Sequence, residues 1–482
     1  MKKGPTLDEL AHQIMLDKGF VPDFTADIKS QVKEITEPAT PLSNHRDLRD
    51  LLWISIDNID SRDLDQLTFA KDDVIFIAVA DVDALVSKGS PIDLRAEHNT
   101  TSIYTPTHIF PMLPLELSND LTSLNENEER CAMVVEMKIH SDGRFELKEL
   151  YPAIVKNKAK LNYPTIGAFL EGELDETVLP RIEGLVDQIK LQDQLSQLIQ
   201  TYRDKKGALL FAEIKLKPVI KDGEPVDLQE QKRNRADILI ENYMIAANVG
   251  VTRFLKEKKL PTIRRIVKTP KRWSKIVQLA GDLGWELPSK PDPKPLRDFL
   301  IYQKETLPVT FPDLSLLLIK LLGRGEYVVG MPDGDELTHF NLVEGEYSHT
   351  TAPNRRFPDL IMQRILKSHL FGSEFPYSKD ELFELAAHCT EKEGDASKAE
   401  RHLIKCAAAI LFQNRIGHTF QAIVTGSSQK GTWVRLQGTQ PIEGKLTKGF
   451  KHVDVGDVIM VKLTRVDIYN GHIDFTRLKP KK

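Results

Sequence analysis

The chain has 482 residues, 41% hydrophobic and 28% charged, with a formal net charge of −4; that is length for about three domains, apolar material for substantial cores, and no polybasic character overall. Three cysteines, Cys131, Cys389 and Cys406, occur without Cys-x-x-Cys spacing, which supports neither a disulfide framework nor a zinc site and fits a reducing cytosol. The N-terminus lacks the apolar core of a signal peptide and no run approaches the ~18 apolar residues of a membrane span, so a soluble, cytoplasmic, monomeric protein is expected.

Residues 1–45 read as two short helices, around residues 7–16 and 24–35, and a linker, too little for an independent domain. From His45 to about Tyr151, short apolar runs alternate with turn signals, as in a mostly antiparallel sheet. Residues 51–56 read as a buried strand and residues 74–79 as another. Between them Asp57, Asp60, Asp63 and Asp65 put four carboxylates within nine residues. Such charges repel unless solvent, basic side chains or a cation offset them, and a hard ion such as Mg2+ or Mn2+ is the usual oxygen-ligated solution. An exposed, solvated acidic turn is the competing reading.

Residues 99–124 form a long, Pro-punctuated, polar stretch, and loops this extended tend to be functional. Residues 155–205, with Tyr163, read as helical, residues 207–211, ending in Phe211, as a strand, and residues 234–258 as a long amphipathic helix with Ile238, Met244, Ala247, Val251 and Leu255 at helical spacing. Pro353 suits the start of a helix, which would place Arg355 and Arg356 in its first turn. Cations there oppose the helix dipole, so a bound anion is the economical explanation. A last helix over residues 397–415 opens on Ser397 and Glu400 at capping-box spacing, so Glu400 either caps or contacts a ligand. After Gly417 about five short alternating strands suggest a small OB-type barrel. Residues 416–482 carry 11 Lys and Arg against 5 Asp and Glu, a basic end suited to a polyanion.

Several of these segments resemble the ribonuclease II and ribonuclease R family. The aspartates match its signature Asp-x-x-Asp-x-x-Asp-x-Asp-Asp, except that Gln66 stands at the last place. Residues 101–106 and 111–118 resemble its Thr-Ser-Val-Tyr-x-Pro and Pro-Met-Leu-Pro-x-x-Leu-Ser segments. Asp81 is kept in a strand where Ala78 replaces the usual histidine. Residues 207–211, 240–249, 347–360 and 399–401 are similar to further motifs in family order, so the likeness runs over residues 46–480. The likeness does not extend to the paired cold-shock barrels that usually come first in the family.

The resemblance implies an α+β catalytic domain over residues 46–415, a C-terminal OB-fold RNA-binding domain over 416–482, and a hydrolytic exoribonuclease. Such an enzyme threads single-stranded RNA from its 3' end and releases nucleoside 5'-monophosphates. By the match, Asp57 and Asp63 would be metal ligands, Asp65 would hold a second metal or orient the attacking water, and Gln66 would offer a neutral carbonyl oxygen. Arg355 would neutralise the scissile phosphate, with Arg356 beside it on the RNA. Tyr104 and Phe211 would stack on bases; Tyr163 and Glu241 would meet ribose hydroxyls; Glu400 would touch RNA. Three outcomes follow from Gln66: Asp60 shifts inward as a substitute, RNA phosphates complete the shell, or the protein binds RNA without cutting it.

Overall fold

The computed structural model describes residues 6–212, 215–334, 337–428, 431–438 and 441–478. Its centre is a six-stranded sheet in the order Arg46–Asp47, Phe145–Asn162, Trp53–Asp57, Gln66–Lys71, Val74–Ala80, Glu129–Ile139. The 18-residue strand Phe145–Asn162 uses its first part to pair antiparallel with Glu129–Ile139 and its last part to pair parallel with Trp53–Asp57. The ladder of pairings therefore returns on itself, and Asp57 emerges opposite Asn162. Residues 155–162 are thus strand, not the expected helix. Val155, Asn157, Ala159 and Leu161 are buried while the intervening lysines are at least partly exposed, a period of two that marks a strand with one face covered.

The cover is supplied by two helices. Leu185–Lys206 lays Gln188 and Gln192 on the strand Gln66–Lys71, hydrogen-bonding the Ala70 backbone and the Thr68 hydroxyl. Arg235–Glu257 begins with a capping box between Asn234 and Asp237, two reciprocal bonds that satisfy N–H groups the first turn leaves open. It packs so closely that a Cβ on Gly250 would sit 2.6 Å from the Met137 sulfur.

Three expectations change. Gly207, at φ +94°, ends the helix before it, and residues 208–212 are irregular rather than a strand, held by Leu209 N donating to the Asn341 carbonyl and Ala212 N to Ser315 Oγ. The helix near the arginines starts at Phe357, with Pro358 in its first turn and Arg356 at the N-cap; residues 352–355 form a turn before it. That turn is held by buried carboxylates, Asp359 accepting from Ala352 N and Asp65 from Asn354 N. Finally, residues 397–412 are the second half of one 34-residue helix, Lys379–Phe412, whose capping box is Ser378 and Glu381. Glu400 is therefore interior and caps nothing. The buried face, Leu385, Cys389, Ala396, Ala399 and Leu403, runs through the false start without a break.

The long helix organises the rest. The helix Leu7–Asp17 packs on the long helix, and its Leu7, Leu10, Ile14 and Met15 share one apolar cluster with Ala399, Leu403 and Ala407 of that helix and with Ile103 and Phe110 of a short hairpin. At its far end Ala408, Ala409 and Phe412 enter the core of a closed five-stranded barrel. Barrel strands Thr419–Ser428, Gly431–Leu436, Glu443–Lys448, Val458–Asp467 and His472–Arg477 fall where alternation places them. Helices Trp273–Asp282, Pro293–Thr306 and Phe311–Leu322 form a separate wall around Trp273, Ile276 and Phe299, joined to the barrel by a two-pronged ion pair between Asp313 and Arg435 at 2.6 and 2.9 Å.

Candidate active site

The acidic stretch folds into one pocket with the turn before Phe357. Asp65, 1% exposed, accepts from Asn354 N and from Arg355 Nε, both at 2.9 Å. Burial drives its carboxyl up to about 7, with Arg355 opposing and Asp63 adding to the rise. Burial also raises Asp57, against hydrogen bonds from Asn58 N at 2.7 Å and Ser61 Oγ at 2.8 Å and the charge of Arg355. Desolvation works against the Arg355 cation, but Asp65, Tyr104, Asp57 and Asp63 outweigh it and lift its pKa further. One guanidinium thus sits among three aspartates, which explains how they coexist in a partly buried pocket.

Tyr104 closes one side. Its hydroxyl donates to Asp63 Oδ2 at 2.6 Å, and burial keeps it a phenol. Its backbone N–H donates to Glu400 Oε1 at 3.0 Å, so Glu400 supports the hairpin that carries Tyr104. Just upstream, Ser102 N donates to the Arg355 carbonyl and Phe357 N to the Thr100 carbonyl, so one strip of chain fixes both Tyr104 and Arg355. Tyr163, at the first turn of the helix Tyr163–Leu170, lies close enough to Asp57 and Asp237 for their charges to add to the rise that burial causes in its pKa.

Other predicted residues sit outside this cluster. Asp60, 71% exposed, pairs with Lys217 at 3.2 Å and lines the same cavity as Asp63. Gln66 is in a strand opposite Val79, 9% exposed. Arg356 binds Asp359 Oδ1 at 2.7 Å and braces the turn. Glu241 accepts from Arg203 at 3.4 Å and from Arg233. Phe211 is half-buried against the helical wall. Ser61, Asn354 and Asp359 were not foreseen; Ser61 at Asp57+4 and Asp359 at Arg356+3 carried a weak local signal, Asn354 none.

A cavity of about 1960 Å3 runs from the pocket to the barrel. Asn58, Ser61, Asp63 and Tyr104 of the pocket line it together with Arg435, Ile442 and Ile473 of the barrel, and Lys217, Arg265, Arg324 and Lys405 contribute basic side chains to its wall. Among the described residues no three His, Cys, Asp or Glu side chains converge on one cation position. The donor set still fits an ion of the Mg2+ kind. Such ions dehydrate reluctantly and are commonly held by one or two carboxylates plus substrate phosphate, and Asp57 and Asp63 are each hydrogen-bonded through one oxygen only.

A model of the RNB domain matches residues 45–372, and one of the RNase II-type exonuclease C-terminal S1 domain matches residues 418–478. The chain belongs to the RNB family. It is 29% identical to ribonuclease R of Escherichia coli K12 over 433 residues, covering 85% of this chain and 52% of that protein, so it spans about half the length of this relative. With ribonuclease R of Thermotoga maritima it shares 30% identity over 90% of this chain and 65% of that protein. Mycoplasma genitalium RNase R, solved in complex with ribose-methylated single-stranded RNA, superposes with a TM-score of 0.88 at 25% identity, over 99% of this chain and 79% of that one. No helix among the described residues is long and apolar enough to cross a membrane.

Proposed function

We propose that the protein is a hydrolytic 3'-to-5' exoribonuclease that degrades single-stranded RNA to nucleoside 5'-monophosphates. The observation that carries this reading is Arg355, clamped on buried Asp65 among the aspartates of a pocket whose Asp63 and Tyr104 line the same cavity as Arg435 and Ile473 of the basic barrel. Arg355 uses only Nε on Asp65, leaving its two Nη groups to meet the scissile phosphate as a planar fork. Each Asp65 oxygen has a second lone pair, so the carboxylate can orient the attacking water, and a pKa of about 7 suits a group that takes its proton.

Mg2+ or Mn2+ bound by Asp57 and Asp63 together with RNA phosphate would neutralise charge and activate water. The carbonyl of Gln66 contributes no charge to that set, so RNA is the natural source of the remaining oxygens. The Tyr104 ring faces the cavity and stacks on the terminal base, worth about 1–3 kcal/mol; Phe211 offers a second flat surface on the wall. Tyr163 and Glu241 are assigned to ribose hydroxyls, the groups that separate RNA from DNA.

A catalytically silent RNA-binding protein is the second reading, favoured by the neutral Gln66 and by the lack of three converging acids among the described residues. Incubating the pure protein with a 3'-single-stranded oligoribonucleotide and Mg2+ separates them. A ladder ending in mononucleotides supports the exonuclease; intact RNA with a gel shift supports the binder; cleavage of circular RNA would indicate an endonuclease.

A further inference from the structure

The helix Leu7–Asp17 and residues 19–24 precede the stretch matched to the RNB domain, which begins at residue 45. They nevertheless end up against the chain segment that carries Tyr104. Leu10, Ile14 and Phe20 share one apolar cluster with Ile103 and Phe110, the residues flanking Tyr104 in its hairpin and in the partner strand. Behind them the buried Arg95 donates to the carbonyls of Val21 and Pro22 on one side and of Pro111 and Met112 on the other, at 2.9 to 3.2 Å. The Asn99 side chain binds both the N–H and the carbonyl of Val21 at 2.9 Å. The N-terminal segment and the hairpin are therefore one packed unit, and the unit touches the acidic pocket through the Tyr104 hydroxyl on Asp63 at 2.6 Å.

We propose that Tyr104 is a positioning residue whose hydroxyl fixes Asp63, and that the N-terminal helix acts on the acidic pocket through it. The proposal rests on the nuclease reading only for what Asp63 is positioned to do. A base needs nothing from Tyr104 but its ring, so a phenylalanine would serve stacking equally well. The hydroxyl has a different object. With Gln66 neutral, Asp63 and Asp57 supply the charge at the ion position, and a carboxylate that rotates freely loses affinity and alignment. Outer-shell partners of metal-binding carboxylates matter for this reason, and their loss costs about 10- to 100-fold in metal affinity or activity.

The test compares Tyr104→Phe, Ile14→Ala and the double variant in the full chain, with Ile276→Ala in the helical wall as an equally buried control. Three quantities are read: the single-turnover cleavage rate at saturating RNA with Mg2+, RNA affinity in EDTA, and Mn2+ affinity with a saturating ribose-methylated single-stranded RNA bound. Tyr104→Phe is expected to lower rate and Mn2+ affinity by about 10-fold or more while RNA affinity stays within about twofold. Ile14→Ala should shift rate and Mn2+ affinity the same way and add less on the Tyr104→Phe background than alone, the signature of one coupled path; Ile276→Ala should shift neither. Wild-type rate and Mn2+ affinity in Tyr104→Phe overturn the proposal, as does full additivity of the pair. If wild-type protein does not cleave RNA, the nuclease reading fails alone, and Mn2+ affinity still decides the role of Tyr104.

Discussion

The acidic pocket and the C-terminal barrel both contribute residues to one cavity, and they handle charge in opposite ways. In the pocket, a buried Asp65 and the half-buried Asp57 and Asp63 surround a single arginine, so each side chain depends on its neighbours, and burial raises the carboxyls of Asp65 and Asp57. On the barrel, Lys445 and Lys462 point outward from strands whose alternate residues fill an ordinary apolar core; their charges stay in water and act nearly independently. The difference teaches where single substitutions should bite. In the pocket one change disturbs a network, whereas on the barrel it removes about one increment of polyanion attraction.

The largest expected effect is that of Asp65→Asn. Hydrolysis should fall about 10²- to 10⁴-fold with RNA affinity in EDTA unchanged, measured by single-turnover kinetics and gel shift; retained activity would remove Asp65 from the chemistry. Arg355→Lys keeps the charge but loses the fork and the bond to Asp65, so a loss of about 10²- to 10³-fold at saturating RNA is expected. A smaller, different signature should follow from replacing Lys445 and Lys462 by alanine. The slope of log affinity against log salt should shrink by about 2, with the saturated cleavage rate unaltered; a change in that rate would show the barrel and the pocket to be coupled.

The smallest effect is on stability and tests the burial argument directly. An Asp65 carboxyl raised to about 7 from an ordinary 3.8 holds its proton in the folded state over a range where the unfolded chain has lost it. Its contribution to stability is therefore fully present below about pH 4 and is lost as pH rises through about 7. In EDTA, the wild-type melting temperature minus that of Asp65→Asn should decline over that window and level off above it. A difference that stays flat would mean Asp65 is not desolvated as its surroundings require.

Some of this was legible in the chain. The barrel strands lie where alternating residues and Gly-rich turns put them, because each strand's burial is decided by its own two faces. The strand 155–162 carries the same alternation, yet residues 155–205 read together as one helical region, and helix begins only at Tyr163. Ser397 and Glu400 have the spacing of a cap, but a cap is real only where the helix stops. Here the apolar stripe continues and the Glu400 carboxylate is taken up by the backbone of Tyr104.

The sequence by itself determined the acidic run, its spacing, the missing fifth acid and the basic end, since these are matters of covalent order. Only the tertiary structure decided that Asp65 meets Arg355 across 290 positions, that Arg356 turns to Asp359 and Asp60 to Lys217, and that the N-terminal helix backs the Tyr104 hairpin. The physical reason is that a buried charge takes whichever partner the packing of distant segments brings within hydrogen-bond reach, and local patterning carries no record of that choice.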